Sequence, residues 1–156
     1  QMLATVPKAI TEWNKTIRAE IEKVSTMQTS VRAYIFPVYG GRPRIILLPM
    51  LPSVTLEDGN KRRWDEDLDV RRWFPFGHKT ERVNKLPDLE CVLRNPFSIL
   101  FSNLPHRTPF NDCLHTGRSL RFRGNVVVIR HHSRYTEDVT QMPSSDLTLV
   151  NIVLAT

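Results

Sequence analysis

The chain has 156 residues, of which 40% are hydrophobic and 24% charged, and its formal net charge is +6. This length suits one domain with a core of its own, and apolar clusters recur along the whole sequence, which excludes a disordered chain. No apolar run reaches the roughly 20 residues that cross a bilayer, so we expect no membrane partner.

The start of the sequence and its cysteine content bear on domain organisation and compartment. Gln1 precedes Met2, which indicates a single domain, residues 1–156, excised from a longer chain. The first ten residues lack the features of a signal peptide. Cys91 and Cys113 are the only cysteines, fewer than a disulfide-stapled secreted domain usually carries. We therefore predict an intracellular protein, nuclear or cytoplasmic, with two buried free thiols; a Cys91–Cys113 bridge is the alternative.

The first predicted element is a long amphipathic helix over residues 5–28. Apolar side chains recur every three or four residues from Ile10 to Met27, and charged side chains occupy the opposite face. Thr5 can cap the start, and Pro7 suits the first turn. The apolar stripe predicts packing against a sheet or a partner helix.

Residues 32–51 are predicted to form a β-hairpin. Gly40-Gly41 separates two apolar arms, and glycine supplies the positive φ that tight hairpin turns need. Pro37 and Pro49 cannot donate to a ladder, so each is expected at an edge or a bulge. The continuous apolar run Ile45–Leu48 predicts a strand covered on both faces.

The middle of the chain is more polar. Residues 53–60 are expected to form a loop, Phe74–Gly77 an aromatic turn, and residues 78–85 an exposed polar stretch. Residues 87–93 are predicted to form a short helix that Pro96 ends, followed by a strand or turn. The composition of residues 103–116 is typical of a long ordered loop, and such loops are often functional.

The C-terminal part carries a second β signal over residues 118–131. Gly124-Asn125 predicts a turn or bulge, and Val126–Ile129 a buried strand. Residues 144–154 favour a helix, although a strand fits nearly as well. This element order predicts an α+β fold: an antiparallel or mixed sheet packed against the long N-terminal amphipathic helix, with a short C-terminal helix.

Acidic and soft side chains offer two patterns that could bind metal. Asp65, Asp67 and Asp69 would share one face of an extended segment and could bind Mg²⁺ or Ca²⁺, as in a nuclease. The second pattern, a possible zinc site, consists of Cys91, His106, Cys113 and His115. Ion pairing with neighbouring arginines explains the first pattern more simply, and chance explains the second. We therefore predict neither a metal nor another cofactor.

A histidine pair and several absent motifs bear on catalysis. His131-His132 comes at the end of the predicted strand and is interpreted as polar residues at a strand end entering a turn. The sequence contains no nucleophile elbow, P-loop or dinucleotide-binding glycine motif. No catalytic residue is therefore assigned, and an enzyme is disfavoured.

The most coherent functional pattern combines arginine with aromatic residues. The chain has 16 Arg and 6 Lys, and arginine makes bidentate contacts to phosphates and guanine edges. Aromatic side chains can stack on bases. The predicted nucleic-acid-binding residues are Arg42, Arg44, Arg62, Arg63, Arg71, Arg72, Arg118, Arg121, Arg123, Arg130, Trp64 and Trp73.

Three functions follow from these patterns. The leading one is a non-catalytic intracellular binding module whose arginine-rich surface binds nucleic acid. The second is a protein-interaction or scaffold domain of a larger protein, since arginine and aromatic residues also dominate protein interfaces. The third is a metal-dependent hydrolase or nuclease that uses Asp65, Asp67 and Asp69.

Overall fold

The structure is a computed structural model, and it describes residues 30–39, 41–51, 64–86, 90–104, 108–114 and 122–155. The chain divides into two units, Gln1–Ser30 and Val31–Thr156, and nearly all described residues belong to the second. The helix predicted over residues 5–28 lies outside the described residues. That one domain spans residues 1–156 stays a prediction.

The described residues form a six-stranded sheet and one α-helix. In chain order the elements are β1 (Ser30–Phe36), β2 (Arg44–Pro49), β3 (His78–Leu86), β4 (Cys91–Ser102), β5 (Val126–His131), β6 (Val139–Thr140) and α1 (Leu147–Ala155). The strand order is β2-β1-β5-β4-β3, and β6 pairs with β5. β5 pairs antiparallel with β1, β4 and β6, and β3 pairs antiparallel with β4.

The predicted fold class is wrong. The described residues are mostly antiparallel sheet, and their one α-helix is the short α1 near the C-terminus, so no long N-terminal helix belongs to the fold that they form. Within the second unit, α1 packs on one apolar face of the sheet, and residues 64–76 pack on the other. Residues 64–76 form an irregular segment, so a search for helical periodicity in the sequence could not identify them as a covering layer.

The centre of the sheet is the buried strand β5, which confirms the strand predicted at Val126–Ile129. All four side chains of that run are buried and alternate between the two faces. Val126 and Val128 lie in the cluster that includes Val150 and Leu154 of α1. Val127 and Ile129 lie in the cluster formed with residues 64–76. Each face thus buries β-branched residues, and β5 is the strand that both layers share.

The β1–β2 pair confirms the predicted hairpin across Gly40-Gly41. Pro49 lies in β2, which is an edge strand of the described sheet, as expected for a residue without an N–H group. The expectation that Ile45–Leu48 is covered on both faces is wrong, since Leu47 is 61% exposed. An edge strand has one neighbour only, and its outward side chains can therefore reach solvent.

The β3–β4 pair confirms that residues 78–85 are polar and largely exposed, and it corrects the prediction for the segment that follows. Residues 78–85 form most of β3, an edge strand with a largely exposed polar face. β4 begins at Cys91, so the short helix predicted to continue through Leu93 is wrong. Pro96 lies inside β4 where the ladder shifts register between Val83 and Lys85. A bulge tolerates the missing N–H, and Pro96 therefore does not end the strand.

Turn and terminal predictions are confirmed. At the predicted aromatic turn, the N–H of Gly77 donates to the carbonyl of Phe74 at 3.2 Å, and Gly77 has a φ of 96°. The predicted C-terminal helix corresponds to a 3-10 turn, Ser144–Asp146, that leads into α1. No helix in the described part of the chain is long and apolar enough to cross a membrane.

Gly124 before β5 provides a stability prediction. Its φ is +73°, and a Cβ there would lie 2.3 Å from Cγ2 of Thr108. We expect Gly124→Ala to lower the free energy of unfolding by about 1 to 3 kcal/mol, measured by urea denaturation. Adding Thr108→Ser, which removes Cγ2 but keeps the hydroxyl, should restore part of the loss. No recovery in the double variant would contradict the steric explanation.

Candidate functional site

Segments that precede or follow four strands lie at one end of the sheet. Phe36 at the end of β1 pairs with Val126 at the start of β5, and Phe101 near the end of β4 faces the same residue. The start of β3 joins this end because His78 pairs with Ser102. The segments that enter or leave the strands here therefore meet, although they are distant in sequence.

These segments enclose a cavity of about 420 Å³ that we call the aromatic cleft. Its walls include Tyr39, Trp73, Phe74, Phe76 and Pro109. Phe74 is buried, whereas Tyr39 is 69% and Phe76 is 78% exposed. Exposed aromatic side chains beside a cavity are typical of a binding surface, because they bury large apolar area when a ligand stacks on them.

Arginine side chains flank the cleft. The guanidinium carbons of Arg44 and Arg72 lie 5.9 and 4.8 Å from the ring centre of Trp73. That of Arg123 lies 4.1 Å from the ring centre of Phe110, which is 59% exposed. Within the described part of the chain, none of these arginines is ion-paired with a carboxylate. Their positive charge is therefore not neutralised by Asp or Glu there.

Two asparagines hold the backbone at this end of the sheet. Nδ2 of the buried Asn111 donates to the carbonyls of Phe36 at 2.8 Å and Gly124 at 2.6 Å, and Oδ1 accepts from the N–H of Cys113 at 2.8 Å. These bonds join the end of β1, the turn before β5 and the segment that carries Phe110.

Asn125 makes the second connection. Its Oδ1 accepts from the N–H of Val38 at 3.0 Å, and its Nδ2 donates to the carbonyl of Trp73 at 3.2 Å. The backbone of Trp73 is thereby tied to β5 and to the segment that leaves β1. The cleft is supported by hydrogen bonds that are already formed without a ligand, which reduces the ordering cost of binding.

The other predicted binding residues of the β1–β2 side have different environments. Arg42 is exposed on the connection between the two strands. Arg71 is also exposed, but its guanidinium donates twice to Asp69, at 3.0 and 2.8 Å. These hydrogen bonds lower the pKa of Asp69 to about 2. Arg71 is thus already engaged by a carboxylate, whereas the adjacent Arg72 forms no ion pair with a described residue.

The guanidinium group of Arg130 forms hydrogen bonds with neighbouring parts of the fold. Its NH2 and NH1 groups donate to Oδ1 of Asn95 at 2.7 Å and to the carbonyl of Gln141 at 3.3 Å. Its Nε lies 3.4 Å from the carboxylate of Asp146, within ion-pair distance. Arg130 therefore connects β5 with β4 and with the turn before α1, and we leave it out of the proposed surface.

The remaining predicted binding residues lie elsewhere. Trp64 is half-buried and forms an isolated antiparallel bridge with Asp138. The predicted residues outside the described ranges are Arg62, Arg63, Arg118 and Arg121. The structure thus brings together Arg44, Arg72 and Trp73, and adds Arg123 through its contact with Phe110.

The acidic cluster does not have the extended geometry that the metal hypothesis requires. Asp65 and Asp67 belong to a 3-10 turn, and Arg71 holds Asp69. The carboxylate of Asp67 accepts from the N–H of Trp64 at 3.3 Å. Among the residues that the structure describes, no group of three or more His, Cys, Asp or Glu side chains could hold a metal ion.

The second metal pattern is only partly described by the structure. Cys91 and Cys113 are both free, and Cys91 is exposed, so the prediction that both thiols are buried is wrong. The Cys113 thiol donates to the carbonyl of Gly41 at 2.8 Å, and partial burial raises its pKa. His106 and His115 lie outside the described residues.

His131 is the last residue of β5, as the strand-end interpretation predicted, and it is fully buried. Its Nε2 lies 2.6 Å from Oγ of the buried Ser98, and its Nδ1 lies 3.2 Å from the carbonyl of Glu137. Burial and the nearby positive charge of Arg82 lower the pKa of His131. A serine–histidine pair without solvent access cannot receive a substrate, so we interpret it as structural.

Two aromatic residues of this site, Phe76 and Phe110, were not predicted from the sequence. Each directly follows a proline, but so does Phe97, which is buried inside β4. A preceding proline therefore does not distinguish the exposed phenylalanines from the buried one.

Comparison with protein-family models, curated proteins and solved structures finds no match to this chain.

Proposed function

We propose that this chain is a non-catalytic module that binds single-stranded nucleic acid at the aromatic cleft. The observation that carries the proposal is the contact of Arg44 and Arg72 with Trp73, beside the exposed rings of Tyr39 and Phe76. Neither arginine has a carboxylate partner among the described residues. Unpaired bases would stack on the exposed rings, and the arginines would contact the phosphates.

The energetics favour this class of ligand. Base stacking on an aromatic side chain contributes about 1 to 3 kcal/mol per base and tolerates any sequence. Arginine contacts to phosphate release counterions, so affinity falls as salt concentration rises. A duplex keeps its bases stacked inside, and it would leave the rings of Tyr39 and Phe76 without stacking partners. We therefore expect tighter binding to single strands than to duplexes.

The adjacent residues Arg71 and Arg72 provide a matched test. Arg72→Gln should weaken binding of a fluorescein-labelled oligothymidylate and make the slope of log affinity against log salt shallower by about 0.7. Arg71→Gln should change both quantities little, because Asp69 already engages Arg71. Fluorescence anisotropy at several salt concentrations measures both. Equal effects of the two substitutions, or no binding by the unmodified protein, would overturn the proposal.

Phe76 tests stacking separately from charge. Phe76→Ala should weaken binding about ten-fold, the value expected for the loss of one stacked base. Phe76→Tyr keeps the ring and should bind nearly as tightly as the unmodified protein. Because Phe76 is 78% exposed, neither substitution should change the free energy of unfolding much. Equal affinities for the Ala and Tyr variants would exclude stacking at this position.

A protein-interaction domain is the second candidate. The edge strand β2 exposes Leu47 beside a cavity of about 360 Å³ that is also lined by Asp69, Arg71, Arg72 and Trp73. An apolar residue rimmed by arginine and tryptophan is typical of protein interfaces. Leu47→Ala distinguishes the two functions without adding a charge near Arg72: it should weaken capture of a protein partner and leave oligothymidylate binding essentially unchanged.

A further inference from the structure

A second cavity lies at the opposite end of the sheet, where β4 begins and β5 ends. Its volume is about 470 Å³, and the residues that matter for its chemistry are Arg94, His132, Ser133, Arg134 and Tyr135. The start of β4 supplies an aliphatic wall. We call this cavity the turn pocket; none of its residues belongs to the aromatic cleft.

The turn pocket is positively charged. Among the residues that the structure describes, two arginines and no carboxylate line it. Both arginines are exposed, and neither forms an ion pair within the described part of the chain. The guanidinium carbon of Arg134 lies 4.8 Å from the ring centre of Tyr135, and its NH2 group donates to the Tyr135 hydroxyl at 2.5 Å. The pocket thus offers two cations and an aromatic ring that is 79% exposed.

Neighbouring strands hold the backbone of this pocket. Arg82 of β3 donates from its NH2 group to the carbonyls of Ser133 at 3.1 Å and Thr136 at 2.9 Å. Asn95 of β4 donates from Nδ2 to the carbonyls of His131 at 3.2 Å and His132 at 2.8 Å. The turn after β5 is therefore fixed before any ligand arrives, a property that increases affinity because less ordering remains to be done.

We infer that the turn pocket binds a phosphate-bearing ligand of nucleotide size. Arginine is the side chain best suited to bidentate phosphate contacts, and the Ser133 and His132 side chains add polar groups to the lining. A base can stack on the Tyr135 ring. The volume falls within the range of about 300 to 1,000 Å³ found for small-molecule sites. A free nucleotide or the terminal phosphate of an oligonucleotide would supply the same chemistry.

The test is a titration of the ¹⁵N-labelled protein followed by NMR. Adenosine 5′-monophosphate should shift the amide signals of residues 132–135 and saturate, whereas adenosine should shift them far less. Equal affinity for the two compounds, or the absence of saturable shifts in these residues, would overturn the inference.

Substitutions make the same test at the level of residues. Arg94→Gln should weaken the affinity for adenosine 5′-monophosphate about ten-fold, and Arg134→Gln should do the same. Arg72→Gln, in the aromatic cleft, should leave it unchanged. Because Arg134 also contacts Tyr135, Arg94→Gln is the decisive variant if the other disturbs the turn. Unchanged affinity in Arg94→Gln would overturn the inference even if the nucleotide binds.

Two further ligands identify the source of the phosphate. If an oligothymidylate shifts residues 132–135 only when it carries a 5′-phosphate, the pocket recognises a strand end. If adenosine 5′-monophosphate and inorganic phosphate saturate these signals but the phosphorylated oligonucleotide does not move them, the ligand is a free nucleotide. Both outcomes support phosphate recognition. Loss of oligothymidylate binding at the aromatic cleft would leave this test unaffected.

Discussion

Asn111→Asp is expected to lower the free energy of unfolding by about 3 to 5 kcal/mol, the largest effect of any substitution considered. The Asn111 side chain is 4% exposed, and its Nδ2 donates to two backbone carbonyls. An aspartate has the same shape but no donor, so a carboxylate oxygen would face both carbonyl oxygens in a buried place. If the carboxylate stays ionised, the two carbonyl dipoles repel it. If it is protonated instead, the proton uptake costs free energy, so both states destabilise the folded protein.

The substitution should also act on ligand binding. Asn111 joins β1 to the turn before β5, the same region that carries Arg123 and Phe110. Urea denaturation measures stability, and anisotropy with oligothymidylate measures binding under folded conditions. Asn84→Asp is the matched control, because Asn84 is exposed and accepts from Arg82 with its Oδ1, which aspartate retains. If the two variants are equally stable, the role given to Asn111 is wrong.

His131→Leu is expected to lower the free energy of unfolding by about 2 to 4 kcal/mol. The imidazole is fully buried and occupies both nitrogens with hydrogen-bonding partners, Ser98 and the Glu137 carbonyl. Leucine keeps most of the volume but leaves both partners without a bond. Adding Ser98→Ala removes the unpaired hydroxyl and should restore part of the loss. A double variant no more stable than His131→Leu alone would contradict this explanation.

The same histidine should make stability depend on pH. Burial, with a smaller contribution from Arg82, lowers the pKa of His131 below its ordinary value of 6.5, while Asp65 and Glu137 oppose that shift. The unfolded chain therefore binds a proton at a higher pH than the folded chain does. The stability contributed by neutral His131 is complete above its ordinary pKa. It is lost as the pH falls from that value towards the lowered pKa of the folded state, by at most about 1.4 kcal/mol per pH unit.

Urea denaturation between neutral and mildly acidic pH measures this dependence. Partial burial also lowers the pKa of His78, so His131→Leu should reduce the slope and not abolish it. His132→Gln, at an exposed neighbouring position, should leave the slope unchanged. A slope that is the same with and without His131 would show that other groups cause the pH dependence.

Local patterns predicted the elements whose own residues determine them. Val126–Ile129 is β-branched and apolar throughout, so any buried strand suits it. Phe74–Gly77 and residues 144–154 contain their own turn and capping residues. For the same reason the pair of strands on either side of Gly40-Gly41 was predictable, since neighbours in sequence are the simplest partners in a hairpin.

Other features depend on neighbours that are distant in sequence. Pro96 normally argues against a strand interior, but here β3 provides a register shift that accommodates it. The exposure of Leu47 depends on β2 being an edge strand, and no local pattern contains that information. His131 can be buried because Ser98 and the Glu137 carbonyl form hydrogen bonds with its ring nitrogens. Ser98 lies on β4 and His131 on β5, so the contact depends on how the strands pair.

The candidate site likewise combines features that the sequence indicated with features that only the tertiary structure shows. The abundance of arginine and tryptophan was visible in the sequence, and it indicated the type of chemistry. Ion pairing between the acidic segment and a neighbouring arginine was predicted, but the sequence did not show that Asp69 engages Arg71 and not Arg72, or that Asp146 lies beside Arg130. Tertiary contacts thus reduced a list of similar residues to a small group around Trp73.

The place of β5 between β1 and β4 affects how the protein acquires its structure. The β1–β2 and β3–β4 hairpins are local and can form early, yet the pairing of Tyr34 with Val128 joins residues far apart in the chain. Contacts of such long range slow folding, because the intervening loop must first be closed. On a ribosome, both hairpins would emerge with unpaired inner edges and wait for β5, and this interval is when the nascent chain would be most exposed to aggregation.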